Sequence, residues 1–293
     1  IASSYCLNEA IQNAGWNSTD LNECGFIFST TTSQIDKWQN ILPLYFLKNL
    51  STEQISQATR HQSLGLTLVE LKKYFNIVGP STVIASSCSA SLQALCMASI
   101  WIQTGLVKKC IVGTTEILSD LTVNGFNSMR LLAKSISKPF DKTRNGINLG
   151  EASAFICLEA SNLSNNKALA FLTGIGLSTD AYHPTAPHPE GAGSVRSMTM
   201  ALQKAGLNPE DIDWIYAHGT GSTANDLAES KAIKNIYKNT SLKIPAVTST
   251  KSIHGHTIGA SGGLEFVIAL QCLEKNMILP TFHTSEIDEQ IDL

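Results

Sequence analysis

A cysteine at 88, histidines at 218 and 256 and a lysine at 251 each sit among small residues, and these are types that do carbonyl chemistry. Cys88 lies in VIASSCSAS, residues 83–91, where an apolar run stops and the helix-like LQALCMASIWIQTG begins. A thiol at the N-terminal end of a helix faces free backbone N–H groups and the positive end of the helix dipole. Both favour the thiolate, the form that attacks a carbonyl carbon. Most cysteines in such chains are inert core residues, so Cys88 needs company before it counts as a nucleophile.

The company is downstream. His218, in YAHGTGSTANDLAE (216–229), ends an apolar run and precedes a small, hydroxyl-bearing loop with Thr220 and Ser222. An imidazole at a strand's carboxyl end is well placed for a bound thioester or phosphate arm. The plainer alternative is a half-buried histidine bonded to a backbone carbonyl. TSTKSIHGHTIGASGGLE (248–265) holds Lys251, His254, His256 and Glu265 in one glycine-rich stretch. His254 and His256 form an H-x-H pair, but no third metal ligand stands at a sensible spacing. A charge network, with Glu265, Asp226 and Glu229 as counter-ions, is the better account. SKPFDKTRNGINLGEA (137–152) reads as a structural turn before a buried strand.

Elements that would position these groups are legible from period and end signals. Apolar runs predict strands in CGFIFST (24–30), KCIVGTT (109–115), ASAFICLEA (152–160), LAFLTGIGLST (169–179) and WIYAHGT (214–220). Helices are predicted over 91–104, 194–205, 224–237 and 262–274. The segment 180–193, DAYHPTAPHPEGAG, is a proline-rich loop of the kind that tends to carry function. AIQNAGWNSTDL (10–21) and ALQKAGLNPEDI (201–212) share Ala, Gln, Ala, Gly, Asn and Asp in register. Each reads as a glycine-stopped helix, a loop with an Asp, then a strand, which suggests two related α/β halves.

Composition narrows the class. The chain has 293 residues, 43% hydrophobic, enough for one large α/β domain or two closely packed halves. With 21 basic and 24 acidic residues and no basic block, nucleic acid is an unsuitable partner. No apolar stretch reaches the ~20 residues a membrane helix needs. Seven cysteines, an odd number with no C-x-x-C, argue against a disulfide framework or zinc site and for a reducing cytoplasm. The chain opens on Ile1 and stops abruptly after SEIDEQIDL, so both ends are read as incomplete.

SSCSAS, KPFDKTRNGINLGEASAFICLE, DAYHPTAPHPEGAG, AHGTGSTANDLAE and STKSIHGHTIGASGGLE follow one another over about residues 85–270. In order, spacing and identity they resemble the successive signatures of β-ketoacyl-acyl-carrier-protein synthases, condensing enzymes of the thiolase superfamily. The resemblance implies an α/β thiolase-like fold, two related halves stacked in five α-β-α-β-α layers. Residues 1–180 would be the half with the nucleophile and 181–293 the half with both histidines. It further implies the elongating Cys–His–His class: Cys88 accepts the acyl group, His218 and His256 hold the malonyl thioester oxygen, and Lys251 is their partner, embedded with Glu265. Thr220 and Ser222 match positions that contact the pantetheine arm, and Phe126 is a candidate for lining the acyl pocket.

The implied reaction is a decarboxylative Claisen condensation of an acyl-enzyme with malonyl-acyl carrier protein, in fatty-acid or polyketide elongation, with no metal or organic cofactor. The implied partners are acyl carrier protein and a second copy, or a second ketosynthase in a heterodimer. Two departures stand out. A Gly-Phe-Gly-Gly motif, which family members carry beyond a segment like LPTFH (279–283), does not occur, and SSCSAS replaces the commoner Thr-Ala-Cys-Ala/Thr-Gly. One rival is a non-catalytic, chain-length-determining partner subunit, against which Cys88, His218, Lys251 and His256 all argue. Another is a thiolase acting on coenzyme A, which would want a second cysteine in a C-x-G context; Cys272, in ALQCLEK, does not qualify.

Overall fold

Elements appear in chain order as α1 (Ala2–Ala14), α2 (Ser18–Glu23), β1 (Gly25–Ser29), α3 (Ile35–Gln39), α4 (Leu42–Phe46), α5 (Thr52–Thr59), α6 (Leu66–Phe75), β2 (Ser81–Ile84) and α7 (Ala90–Gln103). They continue as β3 (Lys109–Glu116), α8 (Asp120–Ser128), β4 (Ala152–Glu159), α9 (Ala192–Ala205), β5 (Trp214–Tyr216), α10 (Thr223–Tyr237), β6 (Ala246–Thr248), α11 (Lys251–His254) and α12 (Ser261–Glu274). The computed structural model describes every residue except 48–49, 60–62, 164–167, 184, 239, 241–242 and 292, so Pro184 of the proline-rich loop lies outside the described residues. The four helices expected beyond residue 90 form within two residues of their expected bounds.

Both copies of the sequence repeat fold alike. α1 stops at Gly15 (φ 66) and α9 at Gly206 (φ 68), each in the left-handed region that glycine enters without a Cβ penalty. In the first copy the Asn17 side chain accepts from the Thr19 and Asp20 amides, while Asp20 accepts from the Asn17 amide. In the second, Asp211 accepts from the Asn208 amide at 2.8 Å. A strand follows each, β1 and β5. The shared letters are thus a shared way of ending one helix and starting the next strand.

Two compact units result. The first comprises residues 1–125, 150–169 and 257–268. Its sheet has the order β2-β1-β3-β4, with β1 parallel to β2 and β3, and β4 antiparallel to β3. Alternate side chains of β1 fall on opposite faces. Phe26 and Phe28 pack with Leu7, Ile11, Leu68, Leu71 and Phe155, whereas Ile27 packs with Ala94, Leu95, Ala98 and Val112. Burial on both faces explains why β1 reads as a continuous apolar run.

The second unit comprises residues 126–149, 170–256 and 269–293. In it β5 and β6 pair in parallel, Trp214 opposite Ala246 and Tyr216 opposite Thr248. Local hydrogen bonds tie the outlying segments to their units. The amide of Gly263 donates to Ser91 Oγ and Thr114 Oγ1 donates to the Gly259 carbonyl, which binds 257–268 to the first unit. Ser137 Oγ donates to the Thr220 carbonyl and the Gly146 amide to the Gly221 carbonyl, which binds 126–149 to the second.

The strand expected over 169–179 does not form among the described residues. That backbone runs against α9, where a Cβ on Gly174 would lie 2.2 Å from the Ala201 carbonyl oxygen and one on Gly176 1.9 Å from that of Ser197. Only residues 174–176 are partly buried by that approach, while Leu169 and Phe171 stay exposed at 62% and 68%, so the apolar run gains neither a ladder nor a core. Among the described residues no helix is long and apolar enough to cross a membrane.

Candidate active site

In the first unit β2 delivers the chain to a tight turn, Ala85–Ser89, from which α7 starts. Ser87 sits at φ 45, a left-handed conformation that costs a non-glycine residue on the order of 1–3 kcal/mol and persists only where neighbours over-determine it. Cys88, the next residue, is half-buried and not in a disulfide. It precedes the N-cap residue Ser89 of a helix of 14 residues and so sits at the positive end of that helix's dipole. Four other cysteines of this unit are held as thiols. Burial pushes Cys24 up to about 11 and Cys110 up to about 12, and raises Cys96 and Cys157 as well. Glu265 is buried on α12, in the same unit.

The second unit brings His218 and His256 together. Their rings meet edge to face, centroids 5.1 Å apart and planes at 87°. His218 lies just past the end of β5. His256 is fixed from its backbone, its amide donating to the Asn148 carbonyl at 2.6 Å. Lys251, 1% exposed at the start of α11, donates from Nζ to the His218 carbonyl at 2.6 Å. Burial, then the Lys251 ammonium, then His256 hold the His218 ring well below the ordinary imidazole range. Burial, then Lys251 and His254, bring His256 down to about 3. Both rings are therefore neutral at pH 7, and each neutral ring carries one N–H donor.

Acidification has a predictable cost. In the unfolded chain these histidines take up protons near pH 6.5, whereas the folded chain refuses them, so stability is lost as pH falls from 6.5 toward His256's value of about 3. Glu229, pushed up by burial from 4.5 to about 6, binds its proton earlier when folded and works the other way between those values. The histidine window is the wider, so the melting temperature is expected to fall between pH 7 and pH 4. His256→Asn is expected to flatten that slope; an unchanged slope would count against the assignment.

Two carboxylates one turn apart on α10 grip the loop that follows His218. Glu229 accepts from the amides of His218 (2.7 Å) and Gly219 (2.8 Å). Asp226, fully buried, accepts from the amides of Thr220, Gly221 and Phe140. Gly221, at φ 82, must be glycine also because a Cβ would lie 2.3 Å from Ser137 Oγ. Asp226 and Glu229, expected as counter-ions, thus act chiefly as acceptors for backbone, although Lys251 also attracts Glu229. The Asp226 charge is balanced by Arg144, whose Nε is 3.9 Å away and whose Nη1 donates to Asp288 at 2.5 Å. Asp226→Ala leaves the 7% exposed Arg144 under-compensated and three amides without their acceptor. A loss of about 3–5 kcal/mol is expected, read by denaturant unfolding; a loss under about 1 kcal/mol would contradict this account.

The segment 137–149 is more than a turn. Ser137 Oγ donates to the carbonyls of Gly146 and Thr220, the Ser137 amide donates to Asn148 Oδ1, and Asn148 in turn accepts from His256. Asp141 is fully buried; burial works to raise its pKa, but hydrogen bonds from Thr143, Ser285 and Glu286 outweigh this and hold it well below the usual carboxylate range. Ser137, Asp141, Arg144 and Asn148 were not singled out from sequence. The clue was present: Asp, Lys, Thr and Arg in a row, beside an apolar strand, need buried partners. Thr220 Oγ1 and Ser222 Oγ lie 3.0 Å apart, and Ser222 also caps α10 through the Asn225 amide. Phe126 is half-buried on α8.

Residues 4–163 match the family model described as beta-ketoacyl synthase, N-terminal domain, and residues 169–285 match the corresponding C-terminal domain. A 3-oxoacyl-[acyl-carrier-protein] synthase 2 of Synechocystis sp. is 33% identical over all of this chain and 72% of the relative. The protein of that name in Coxiella burnetii is 37% identical over 75% of this chain, which spans 55% of the relative's length. A ketosynthase in complex with its chain length factor from Xenorhabdus doucetiae superposes with a TM-score of 0.79 at 34% identity, over 97% of this chain and 68% of that one.

Proposed function

The chain belongs to the β-ketoacyl synthase family, condensing acyltransferases of thiolase-like α/β fold, and from that premise we propose that it elongates acyl chains on acyl carrier protein with Cys88 as its nucleophile. The observation that carries the reading is the pair of neutral imidazoles, meeting edge to face and kept neutral by burial and by Lys251. Two N–H donors aimed at one oxygen are what an enolate needs, whereas imidazolium rings would surrender a proton to it.

Cys88 thiolate attacks the carbonyl of an acyl carrier protein thioester; the carbon–sulfur bond to the carrier breaks, and the carrier leaves as its thiol with the proton Cys88 gave up. Malonyl carrier protein then loses carbon dioxide, and the freed electron pair becomes an enolate whose oxygen His218 and His256 hold. Its carbon attacks the Cys88 thioester, the β-ketoacyl product stays on the carrier, and Cys88 is released. Thr220 and Ser222 contact the pantetheine arm, and Phe126 lines the acyl pocket. The partners in this reading are acyl and malonyl carrier proteins and a second ketosynthase-like subunit, identical or homologous, in a reducing cytoplasm. Supplied with both carrier proteins, the protein is expected to yield β-ketoacyl carrier protein with carbon dioxide released in equal amount. An acylated enzyme that never yields product would instead mark a subunit needing a catalytic partner.

A further inference from the structure

We propose that Gln93 is the positioning residue of the turn that carries Cys88, its side-chain amide clasping the two residues that flank Ser87 and Cys88. The proposal rests on Cys88 being the nucleophile. Ser87 is held at φ 45 without a glycine's freedom, so something must keep the turn from relaxing. The backbone contributes two closures, Ser89 N–H to the Ser86 carbonyl at 3.2 Å and Ala90 N–H to that of Ser87 at 3.1 Å. Ser89 Oγ adds a third, to the Ser86 carbonyl at 3.0 Å.

Gln93 supplies the tie these lack. One turn into α7, it stands above Ser89 on the same helix face. Its Nε2 donates to Ser86 Oγ at 2.6 Å and to Ser89 Oγ at 2.9 Å. One planar amide therefore spans the turn from the residue before Ser87 to the residue after Cys88. With the clasp gone, Ser87 can return to an ordinary φ, and the Cys88 sulfur swings with it. Misplacing a reacting atom by about 1 Å costs on the order of 10²-fold in rate. The clasp uses Ser86 and Ser89, two of the serines by which SSCSAS departs from the family's commoner spelling.

A rescue experiment separates positioning from packing. Gln93→Met keeps length and helix preference but loses both hydrogen bonds; Gln93→Asn keeps the amide but is too short to span both hydroxyls. Each is made with Ser87 and with Ser87→Gly, a residue that holds positive φ at no strain. Two rates are followed by intact-protein mass spectrometry: acyl loading from carrier protein, and Cys88 alkylation by iodoacetamide across pH. With Ser87 present, both Gln93 variants are expected to slow loading by about 10- to 100-fold and to move the alkylation midpoint to higher pH. In the Ser87→Gly background the same changes are expected to cost no more than about threefold, because the strain the clasp opposes has gone. Additive effects in the two backgrounds, or wild-type loading and alkylation profiles in the Gln93 variants, overturn the proposal. A wild-type protein whose Cys88 is alkylated but never acylated refutes the nucleophile assignment instead, and the alkylation profiles still decide the clasp.

Discussion

Incubated with carrier protein bearing a medium-length acyl chain, the native protein is expected to gain the mass of one acyl group, and the Cys88→Ala variant none. The expected loss of acyl transfer is at least about 10⁴-fold, because a buried thiol such as Cys24 or Cys110 is a poor replacement for Cys88. Cys24 and Cys110, with pKa values near 11 and 12, would be thiolate in only about one molecule in 10⁴ or 10⁵ at pH 7. Cys96 and Cys157 are pushed the same way by burial. Alanine at a half-buried turn position removes one sulfur and leaves α7 intact, so the fold is expected to survive; circular dichroism and a melting curve check it. An acyl group retained in Cys88→Ala would place the nucleophile at another cysteine and end the case for Cys88.

His218→Ala and His256→Ala test the other half of the chemistry. Each removes one N–H donor from the pair and is expected to slow release of carbon dioxide from malonyl carrier protein by about 10²–10³-fold, the usual effect of losing one oxyanion donor. Acyl loading of Cys88 should proceed within a few-fold of the native rate, since that step makes no enolate. The split between the two steps is the diagnostic. If both variants lose loading and decarboxylation together, the imidazoles serve the thiol rather than the enolate. The two substitutions are expected to be less than additive, because the rings touch. A profile that stays flat as pH falls through 6.5 is also expected of decarboxylation in the native protein, since neither ring takes up a proton there.

Much of this protein was legible in its letters, and the legible part shares one property: it is local. Helix periods, the glycines that end α1 and α9, the Asn–Asp pairs at 17/20 and 208/211 and the apolar run of β1 each report on a few neighbouring residues. The order of five motifs named the family and picked out Cys88, His218, Lys251 and His256 as residue types suited to one reaction. What those letters left open was who answers each buried polar group. Asp226 and Glu229 looked like counter-ions because they are charged, and Arg144 and Lys251 do attract them; in the fold they also accept from the amides of residues 218–221, which any sequence would have offered. Residues 137–152 looked like a turn, and within them Ser137 and Asn148 brace Thr220 and His256. The run at 169–179 looked like a strand and lies instead against α9. The side-chain types and their local periods are written in the sequence, whereas the partners of backbone amides and carbonyls are chosen only when distant segments pack, because every residue carries the same two groups and only proximity tells them apart.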